Sequence, residues 1–411
     1  RAAIVRQPRG KRTLFRTYRS GDCVKYLPLY DQRYMKIVFT GGGSRGHFYP
    51  LIAVAEEVNK IVEERKLIRP ELFYVGPESY DPEALYESGL TFLQSPAGKL
   101  RRYFSLKNIL DIWKTIVGFF RSLWQMYRIY PDVVFSKGGY ASFPTVLAAW
   151  ILGIPIMIHE SDVVPGRANR WSASLAKKIA ISYPETAAFF PEDKTALTGQ
   201  PVRQGLSGKD TDREGEFVAL QPNVPTILIL GGSQGAQNIN NIILDALPKL
   251  VEEYQIIHQT GDTHLEEMQK TATFILEESV HKDRYHAFGF LDTPQLYLAA
   301  QVASVVISRA GSGAIFEIAQ WGIPSIIIPI QEKVSHDQRK NAFVYARSGA
   351  ASVIEETNLT PSVLQSEIHR LVTDKELRKK MQEAARTFST PEAARTIAEA
   401  IVNIGVSHEQ K

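Results

Sequence analysis

The sequence contains little of what several classes of protein require. Its 411 residues include one cysteine, Cys23, which excludes a disulfide framework and a cysteine-ligated zinc site and is typical of a reducing compartment. No run of 18 apolar residues occurs, so no transmembrane helix is expected. A hydrophobic content of 44% is sufficient for two ordinary cores, and we therefore expect two domains.

An excess of positive charge is absent outside residues 1–34. This leader contains nine Lys or Arg and two Asp or Glu, so the formal net charge of +4 for the chain becomes −3 for the remainder. A targeting presequence, a nucleic-acid arm and residues upstream of the true start all fit its composition. Because Met35 directly precedes the first predicted strand, we favour the last and expect the leader to be disordered or upstream of the start. We expect no nucleic-acid partner.

Glycine clusters after the first predicted strand, in the stretch KIVFTGGGSRGHFYP at 36–50. A strand, a glycine turn and a helix N-terminus leave free backbone N–H groups that can bind an anion. The spacing Gly41-x-Gly43-x-x-Gly46 also matches the dinucleotide fingerprint. However, the acidic residue nearest the end of the second predicted strand (71–76) is Glu78, which lies more than 30 residues past the loop instead of about 20, and this argues against NAD.

An internal repeat organises the rest of the chain. Residues 133–160 and 305–332 each contain an apolar strand, a basic residue, a glycine-bearing turn, a short helix, a Gly-Ile-Pro stop and a second strand. The opening loop also has a counterpart, because the apolar strand at 226–230 leads into the glycine loop 231–235. Strands that alternate with helices indicate parallel βαβ units.

Two similar halves predict an α/β fold with two doubly wound, Rossmann-like domains that face an interdomain cleft. The first predicted domain covers 35–200 and is joined by a helix at about 386–405, and the second covers 201–385. Ligands are expected where the carboxyl ends of the parallel strands meet this cleft.

Residues 99–128 combine aromatic and basic side chains. From Leu106 the spacing predicts a helix, and an amphipathic core helix with a solvated basic face is the favoured interpretation. Five apolar residues share its other face: Trp113, Ile116, Val117, Phe120 and Trp124. The preceding segment is typical of a surface that docks on an anionic inner membrane, and its residues are Leu100, Arg101, Arg102, Tyr103 and Phe104.

These motifs, in this order, resemble the MurG-type enzymes of the GT-B glycosyltransferases. The resemblance covers Met35 to about residue 405 and rests on six stretches: 41–50, 138–142, 159–169, 199–203, 231–236 and 309–317. It implies inverting transfer of N-acetylglucosamine from UDP-N-acetylglucosamine to undecaprenyl-diphospho-muramoyl-pentapeptide. The products would be UDP and a β-1,4-linked lipid precursor of peptidoglycan, made by a peripheral protein at the cytoplasmic face of the bacterial cell membrane.

The resemblance assigns the nucleotide sugar to the second domain. The residues that it implies there are Arg203, Ser233, Gln234, Gly235, Leu291, Gly311, Glu317, Gln338 and Asn341. The 233–235 loop and Arg203 would hold the diphosphate, because a helix N-terminus and a guanidinium both stabilise anions. Glu317 would bind the ribose hydroxyls, although a helix carboxylate that faces solvent is the alternative.

The resemblance assigns the lipid acceptor to the first domain. Its implied contacts are Gly43, Ser44, Arg45, Gly46, Tyr140, Asp162 and Asn169. His47 has the pKa range to take the proton of the attacking hydroxyl, and capping of the loop or binding of the acceptor diphosphate are its alternatives. Glu160 is the rival base, although a structural carboxylate at the end of a strand is the favoured interpretation for it.

A metal site is not evident in the sequence. The one Asp-x-Asp motif, 210–212, follows no apolar strand, so no cofactor is expected to be required, although a loosely bound Mg²⁺ is compatible with a diphosphate donor. Two alternatives stay open. One is another lipid-directed GT-B enzyme, such as a diacylglycerol glucosyltransferase, and the other is a non-catalytic partner that binds nucleotide or lipid.

Overall fold

The computed structural model describes residues 3–6, 12–20, 23–28, 34–42, 45–98, 107–203, 218–231, 236–331 and 336–409. The α-helices in these ranges are α1 (Arg45–Glu64), α2 (Pro82–Glu87), α3 (Lys107–Ile129), α4 (Phe143–Ile151), α5 (Arg167–Ser172), α6 (Gln237–Glu253), α7 (Leu265–Ile275), α8 (Thr293–Val302), α9 (Ser312–Trp321), α10 (His336–Arg347), α11 (Pro361–Thr373), α12 (Lys375–Phe388) and α13 (Ala393–Glu409).

A short antiparallel sheet precedes the main body of the fold. Its strands are β1 (Ala3–Arg6), β2 (Arg12–Ser20) and β3 (Cys23–Pro28). The described residues of the leader therefore form strands, and the expectation that the leader is disordered or lies upstream of the true start stays a prediction. The strand at 12–20 contains threonine, phenylalanine and tyrosine, which favour extended backbone even where hydrophobic residues do not alternate regularly.

A parallel sheet of seven described strands forms the first half of the molecule. These are β4 (Lys36–Thr40), β5 (Glu71–Gly76), β6 (Leu90–Gln94), β7 (Val133–Ser136), β8 (Ile156–Glu160), β9 (Lys178–Ile181) and β10 (Thr195–Leu197). Their order is β10-β9-β8-β7-β4-β5-β6. The direction in which the sheet grows reverses between β4 and β7. The loops after these two strands therefore meet at a switch point, where such folds bind ligands.

A second parallel sheet repeats this topology. Its described strands are β11 (Thr226–Leu230), β12 (Gln255–Gln259), β13 (Tyr285–Phe288), β14 (Ala303–Ser308), β15 (Ser325–Ile327) and β16 (Ala351–Val353). Their order is β13-β12-β11-β14-β15-β16, so the switch point lies between β11 and β14. The predicted α/β fold, two doubly wound Rossmann-like units, is confirmed.

Both sheets are buried on both faces. Along β4, Ile37 and Phe39 face a core that α1 covers, whereas Val38 faces the core beneath α4. The last helix, α13, returns to the first half and packs against α1, where Arg395 forms an ion pair of 2.6 Å with Glu64. The second sheet has two further cores, one beneath α6 and one beneath α9.

Helix α3 is attached to the first half partly by a stripe of small and polar residues. A Cβ at Gly118 would overlap the carbonyl oxygen of Pro96, so the helix lies directly on the neighbouring segment. The hydroxyl of Ser122 lies 2.8 Å from that of Ser95 and 3.3 Å from that of Thr145. These hydroxyl bonds and the backbone contact accompany apolar packing on the same side of the helix, where Met126 is fully buried and Phe119 and Leu123 pack against its core cluster.

The aromatic face of α3 points outward. Trp113 is 62% exposed, Phe120 63% and Trp124 57%, and Ile116 and Val117 are exposed beside them. The interpretation of α3 as a core helix that buries these five residues is therefore wrong, because all five side chains face away from the protein. No helix in the described ranges is long and apolar enough to cross a bilayer.

Candidate active site

A cavity of about 610 Å³ opens between the two halves at their switch points. Gly46 and Tyr49, from the first turns of α1, line one side of it. The second half lines the other side with residues that follow its strands or lie on α9 and α10, among them Leu291, Gly311 and Glu317. The topology therefore brings Gly46 at the start of α1, and Gly231 and Ala236 on either side of the second predicted loop, to one cavity.

Arg203 and Glu317 meet at this cavity, as the donor-binding prediction requires. The Arg203 guanidinium lies 3.3 Å from Glu317 Oε1, and its Nη1 donates to the hydroxyl of Thr293 at 2.9 Å. It also stacks on the ring of Tyr49 at 4.2 Å from the ring centroid. Both charged side chains are less than one-fifth exposed, so the pair is sheltered while it borders the cavity. Arg203 therefore connects the two walls.

Other predicted donor contacts lie at different depths. Gln338 lines the cavity, and its side-chain oxygen accepts from the backbone N–H of Ile330 at 3.3 Å. Leu291 is fully buried, and its backbone N–H donates to Gln259 at 3.0 Å. Asn341 is also fully buried, and its amide bonds to residues of the first half. Ser233, Gln234 and Gly235 lie outside the described residues.

His47 lies on α1 beside the glycine turn that follows β7. Its Cδ2 would be 3.4 Å from a Cβ at Gly139. Burial and the ammonium of Lys137 lower the pKa of His47 to about 4. Its buried Nδ1 has no hydrogen-bond partner within the described part of the chain. The imidazole is therefore neutral near pH 7 and able to accept a proton, and a bound anion would raise its pKa toward the working range.

Glu160 is a well-bonded carboxylate at the end of β8. Its oxygens accept hydrogen bonds from the backbone N–H groups of Asp162 (3.0 Å) and Gly166 (3.1 Å) and from the side chain of Asn169 (3.0 Å). It is 4% exposed, and burial together with Asp162 raises its pKa to about 7. Three donors and little exposure favour the structural role over that of a base.

Lys137 is a buried cation that sequence reasoning did not assign to the site. It follows β7, is 1% exposed, and donates to the hydroxyl of Ser161 and to Gln200 Oε1 at 3.3 Å. Burial lowers the pKa of its ammonium to about 8, while Glu160 and Asp162 oppose this shift. The basic residue in each copy of the internal repeat was the signal that could have identified it.

Arg309 is the residue at the matching position in the second half, and sequence reasoning also missed its role. It lines the cavity and pairs with Glu356 at 2.6 Å. Its Nη1 donates to the carbonyl oxygen of Ile328 at 3.3 Å, which fixes the plane of the guanidinium. A sheltered, oriented guanidinium at the wall of a cavity can bind a phosphate through two parallel bonds.

The remaining predicted acceptor contacts surround the turn after β7. Tyr140 begins the short 3₁₀ helix Tyr140–Ser142 and is half-buried, and burial raises the pKa of its hydroxyl. Asn169 is buried, and its amide donates to the carbonyl oxygen of His159 at 2.9 Å. Asp162 bonds to Ser312 in the second half.

Several predictions fall on parts of the chain that cannot be described. Gly43 and Ser44 of the first loop lie outside the described residues, as does the side chain of Arg45. The same holds for the predicted membrane segment, Leu100, Arg101, Arg102, Tyr103 and Phe104. Among the described residues, no group of three or more His, Cys, Asp or Glu side chains is arranged to hold a metal ion.

Two family models match the two halves of the chain. Residues 37–181 match the glycosyltransferase family 28 N-terminal domain, and residues 226–397 match the glycosyltransferase family 28 C-terminal domain. Together the two matches cover both switch points and the strands around them.

Relatives that share one name match most of the chain. The UDP-N-acetylglucosamine--N-acetylmuramyl-(pentapeptide) pyrophosphoryl-undecaprenol N-acetylglucosamine transferase of Treponema denticola is 32% identical over 376 residues, which are 88% of this chain and 96% of the relative. The protein of the same name from Shouchella clausii is 38% identical over 348 residues, which are 82% of this chain and 90% of that protein.

Solved structures share the fold at lower identity. The crystal structure of Acinetobacter baumannii MurG has a TM-score of 0.65 and 24% identity, and the match covers 90% of this chain and 99% of that one. A UDP-GlcNAc 2-epimerase from Neisseria meningitidis bound to UDP-GlcNAc has a TM-score of 0.63 and 14% identity, over 90% and 100% of the two chains. At these identities the structural likenesses support the fold alone.

Proposed function

The chain belongs to glycosyltransferase family 28, and we propose that its cleft is where it transfers N-acetylglucosamine from UDP-N-acetylglucosamine to N-acetylmuramyl-(pentapeptide) pyrophosphoryl-undecaprenol. The activity is that of a hexosyltransferase of peptidoglycan synthesis. The observation that carries the assignment is the agreement in name of relatives that are 32–38% identical over nearly their whole lengths. The cavity between two doubly wound sheets is the geometry that such a transfer needs, because it brings two ligands together away from water.

The second half would hold the nucleotide sugar. Glu317 would accept hydrogen bonds from the ribose hydroxyls. Arg203, which forms an ion pair with Glu317, would be oriented by that pair toward the diphosphate. Arg309 would add a second guanidinium at the same wall. Two sheltered guanidinium groups and the helix N-terminus after β11 would balance the diphosphate charge, so no cofactor should be required. A loosely bound Mg²⁺ stays a prediction, which the transfer rate in excess EDTA tests.

The first half would present the acceptor hydroxyl to the anomeric carbon. The hydroxyl oxygen attacks that carbon from the side opposite UDP, a new carbon–oxygen bond forms, and the bond to the diphosphate oxygen breaks with its electron pair going to UDP. The proton of the hydroxyl passes to His47, which is neutral near pH 7. The configuration at the anomeric carbon is thereby inverted. The negative charge of the acceptor diphosphate would raise the basicity of His47 when it is needed.

The exposed face of α3 would be the surface that meets the membrane. We name this the α3 face and define it by Ile112, Trp113, Ile116, Val117, Phe120, Trp124 and Tyr127, all of them exposed. Lys114, Arg121 and Arg128 are exposed on the same helix, and the Arg128 guanidinium stacks on Trp124 at 4.7 Å. Aromatic rings flanked by cations suit the headgroup layer of an anionic bilayer. We therefore propose peripheral binding at the cytoplasmic face, where nucleotide sugars are available.

Release of UDP tests the reaction. The full chain is incubated with UDP-N-acetylglucosamine and the undecaprenyl-linked muramoyl-pentapeptide, and UDP and the glycosylated lipid are measured. Product that depends on both substrates is expected. Transfer to diacylglycerol but not to the muramoyl lipid would identify a different lipid-directed glycosyltransferase. Binding of UDP without turnover would identify a non-catalytic partner.

Sedimentation with vesicles tests the membrane surface. The variant carrying Trp113→Ser, Phe120→Ser and Trp124→Ser should no longer sediment with vesicles that contain phosphatidylglycerol, while its affinity for UDP stays unchanged. Phe274→Ser is the matched control, because Phe274 is 78% exposed on α7 in the second half. Retained binding of the triple variant would place the docking surface elsewhere, with the segment 100–104 as the next candidate.

A further inference from the structure

Asp162 joins the two halves of the molecule. It follows β8 in the first half, and its Oδ1 accepts two hydrogen bonds from the second half. One comes from the hydroxyl of Ser312 at 2.8 Å and the other from the side-chain amide of Asn341 at 2.8 Å. Ser312 is 4% exposed and Asn341 is fully buried, so both donors are shielded from solvent, while Asp162 is partly exposed.

Asn341 returns a bond to the same loop. Its Oδ1 accepts from the backbone N–H of Val163 at 3.0 Å, so one amide side chain bonds to two consecutive residues of the first half. Asn341 also donates to the carbonyl oxygen of Ala310 at 3.3 Å. An amide that is satisfied on both of its ends and buried between the halves fixes their distance and their orientation.

The loop that carries Asp162 is itself held in place. The backbone N–H of Asp162 donates to the Glu160 carboxylate at 3.0 Å, and the carbonyl oxygen of Asp162 accepts from the hydroxyl of Thr186 at 3.0 Å. The hydroxyl of Ser312 also lies 3.3 Å from the hydroxyl of Tyr183, which belongs to the first half. Glu160 therefore has a definite task, because it orients the loop that reaches across the cleft.

The two partners of Asp162 lie on the helices that carry the predicted donor contacts. Ser312 is the first residue of α9, which also contains Glu317, and Asn341 lies one turn after Gln338 on α10. A carboxylate at the N-terminus of α9 also complements the dipole of that helix. Any movement of Asp162 would therefore shift both helices against the acceptor wall.

We propose that Asp162 is a positioning residue for the nucleotide sugar: it holds α9 and α10 against the first half and so sets the geometry of the donor site from the acceptor side. The resemblance placed Asp162 in the acceptor pocket, and the bonds to Ser312 and Asn341 point to this different task. The inference rests on the proposed function for the identity of the donor. The hydrogen bonds of Asp162 to Ser312 and Asn341 do not depend on that function.

Affinity for UDP, measured by calorimetry in the absence of any acceptor, tests the proposal. Asp162→Ala should weaken UDP binding by about 5- to 150-fold, the usual range for coupling between sites, and should raise the donor KM by a similar factor. Asp162→Asn retains an oxygen that can accept both bonds and should stay within about threefold of wild type. Unchanged UDP affinity in Asp162→Ala, with a higher KM for the acceptor only, would overturn the proposal.

A double-mutant cycle adds a second test, and Ser312→Ala alone keeps the proposal open to test if Asp162→Ala folds poorly. Ser312→Ala removes one of the two bonds, so its effect on UDP affinity should be smaller than that of Asp162→Ala, and the two effects should be non-additive. Additive effects would show that the two side chains act separately, which contradicts the proposal. Because UDP binding needs no acceptor, a wild-type protein that binds UDP but transfers no sugar would refute the proposed function and leave this result intact.

Discussion

The turns after β7 and β14 occupy the same position in the two halves, but the basic residue of each turn lies in a different environment. Each turn follows a buried strand next to a switch point and begins with a basic residue. In the first half that residue is Lys137, which is 1% exposed and bonds to its own half through Ser161 and Gln200. In the second half it is Arg309, which borders the cavity.

Backbone conformation accounts for part of this difference. Gly138 and Gly139 both have positive φ angles, 82° and 80°, and a Cβ at Gly139 would overlap the carbonyl oxygen of Gly42. The first turn therefore lies tight against the loop after β4. In the second turn Gly311 has a φ of −69° and leads directly into α9. One topology thus yields an internal charge in one half and a charge that borders the cavity in the other, so the same position in the fold can hold a residue in two different environments.

Removing the proposed base should have the largest effect, and it should distinguish the role of the first half in catalysis from the role of the second half in binding UDP. His47→Ala is expected to lower kcat by about 10²–10⁴, the usual contribution of a general base, without changing the affinity for UDP. His369→Gln is the matched control, because its side chain is 58% exposed in the second half. An effect confined to the acceptor KM would make His47 a binding residue instead.

Substituting the carboxylate of the opposite wall should give the reverse pattern. Glu317→Gln removes the charge that would meet the ribose, and UDP affinity should fall by about 1.5–3 kcal/mol, which is about 10- to 150-fold. Calorimetry with UDP measures this, and Glu253→Gln, at an exposed carboxylate, serves as control. If UDP binds as tightly as before, Glu317 does not contact the ribose.

Paired glycine substitutions address the turns themselves. Gly139→Ala forces a side chain into a left-handed conformation and into the Gly42 carbonyl, and should lower the free energy of unfolding by about 1–3 kcal/mol. Gly311→Ala lies in the second turn, where φ is −69° and no atom stands within 4 Å of the new Cβ, and should be nearly neutral for stability. Urea unfolding measures both, and equal losses would mean that the two turns are under the same constraint.

Acidification should give the smallest effect. The folded pKa of His47 is about 4 and its unfolded value 6.5, so between these values the unfolded state binds more protons and stability falls as the pH is lowered. From pH 6.5 to 5 this amounts to about 1.5 kcal/mol for the one group. His47→Gln should remove that part of the loss in urea unfolding at the two pH values. An identical loss in the variant would mean that the His47 pKa is not lowered by folding.

The fold could be predicted because its signals are local. Apolar strands such as 226–230 alternate with amphipathic helices, and glycine loops follow the first strand of each half, which is sufficient for doubly wound units. The family motifs also placed Arg203 and Glu317 at a common wall, where the structure brings them together.

The rest depended on contacts between distant segments. No local pattern distinguishes Lys137 from Arg309, because burial of a cation is decided by which side chains surround it. The bonds of Asp162 to the second half depend on how the two halves meet, which neither repeat encodes separately. The orientation of α3 was missed because helical spacing identifies an apolar face without showing that this face meets the protein.

The hydroxyl-lined attachment of α3 has a practical consequence. With its hydroxyl-bearing and buried apolar side chains against the protein and its aromatic side chains outward, this helix presents an apolar outer surface, as a lipid-facing helix of an integral membrane protein does. In lipid-free buffer the exposed aromatic rings of the α3 face can be shielded from water only by contact with the same face of another molecule. Concentrated samples should therefore self-associate reversibly and return to single molecules when a mild detergent is added.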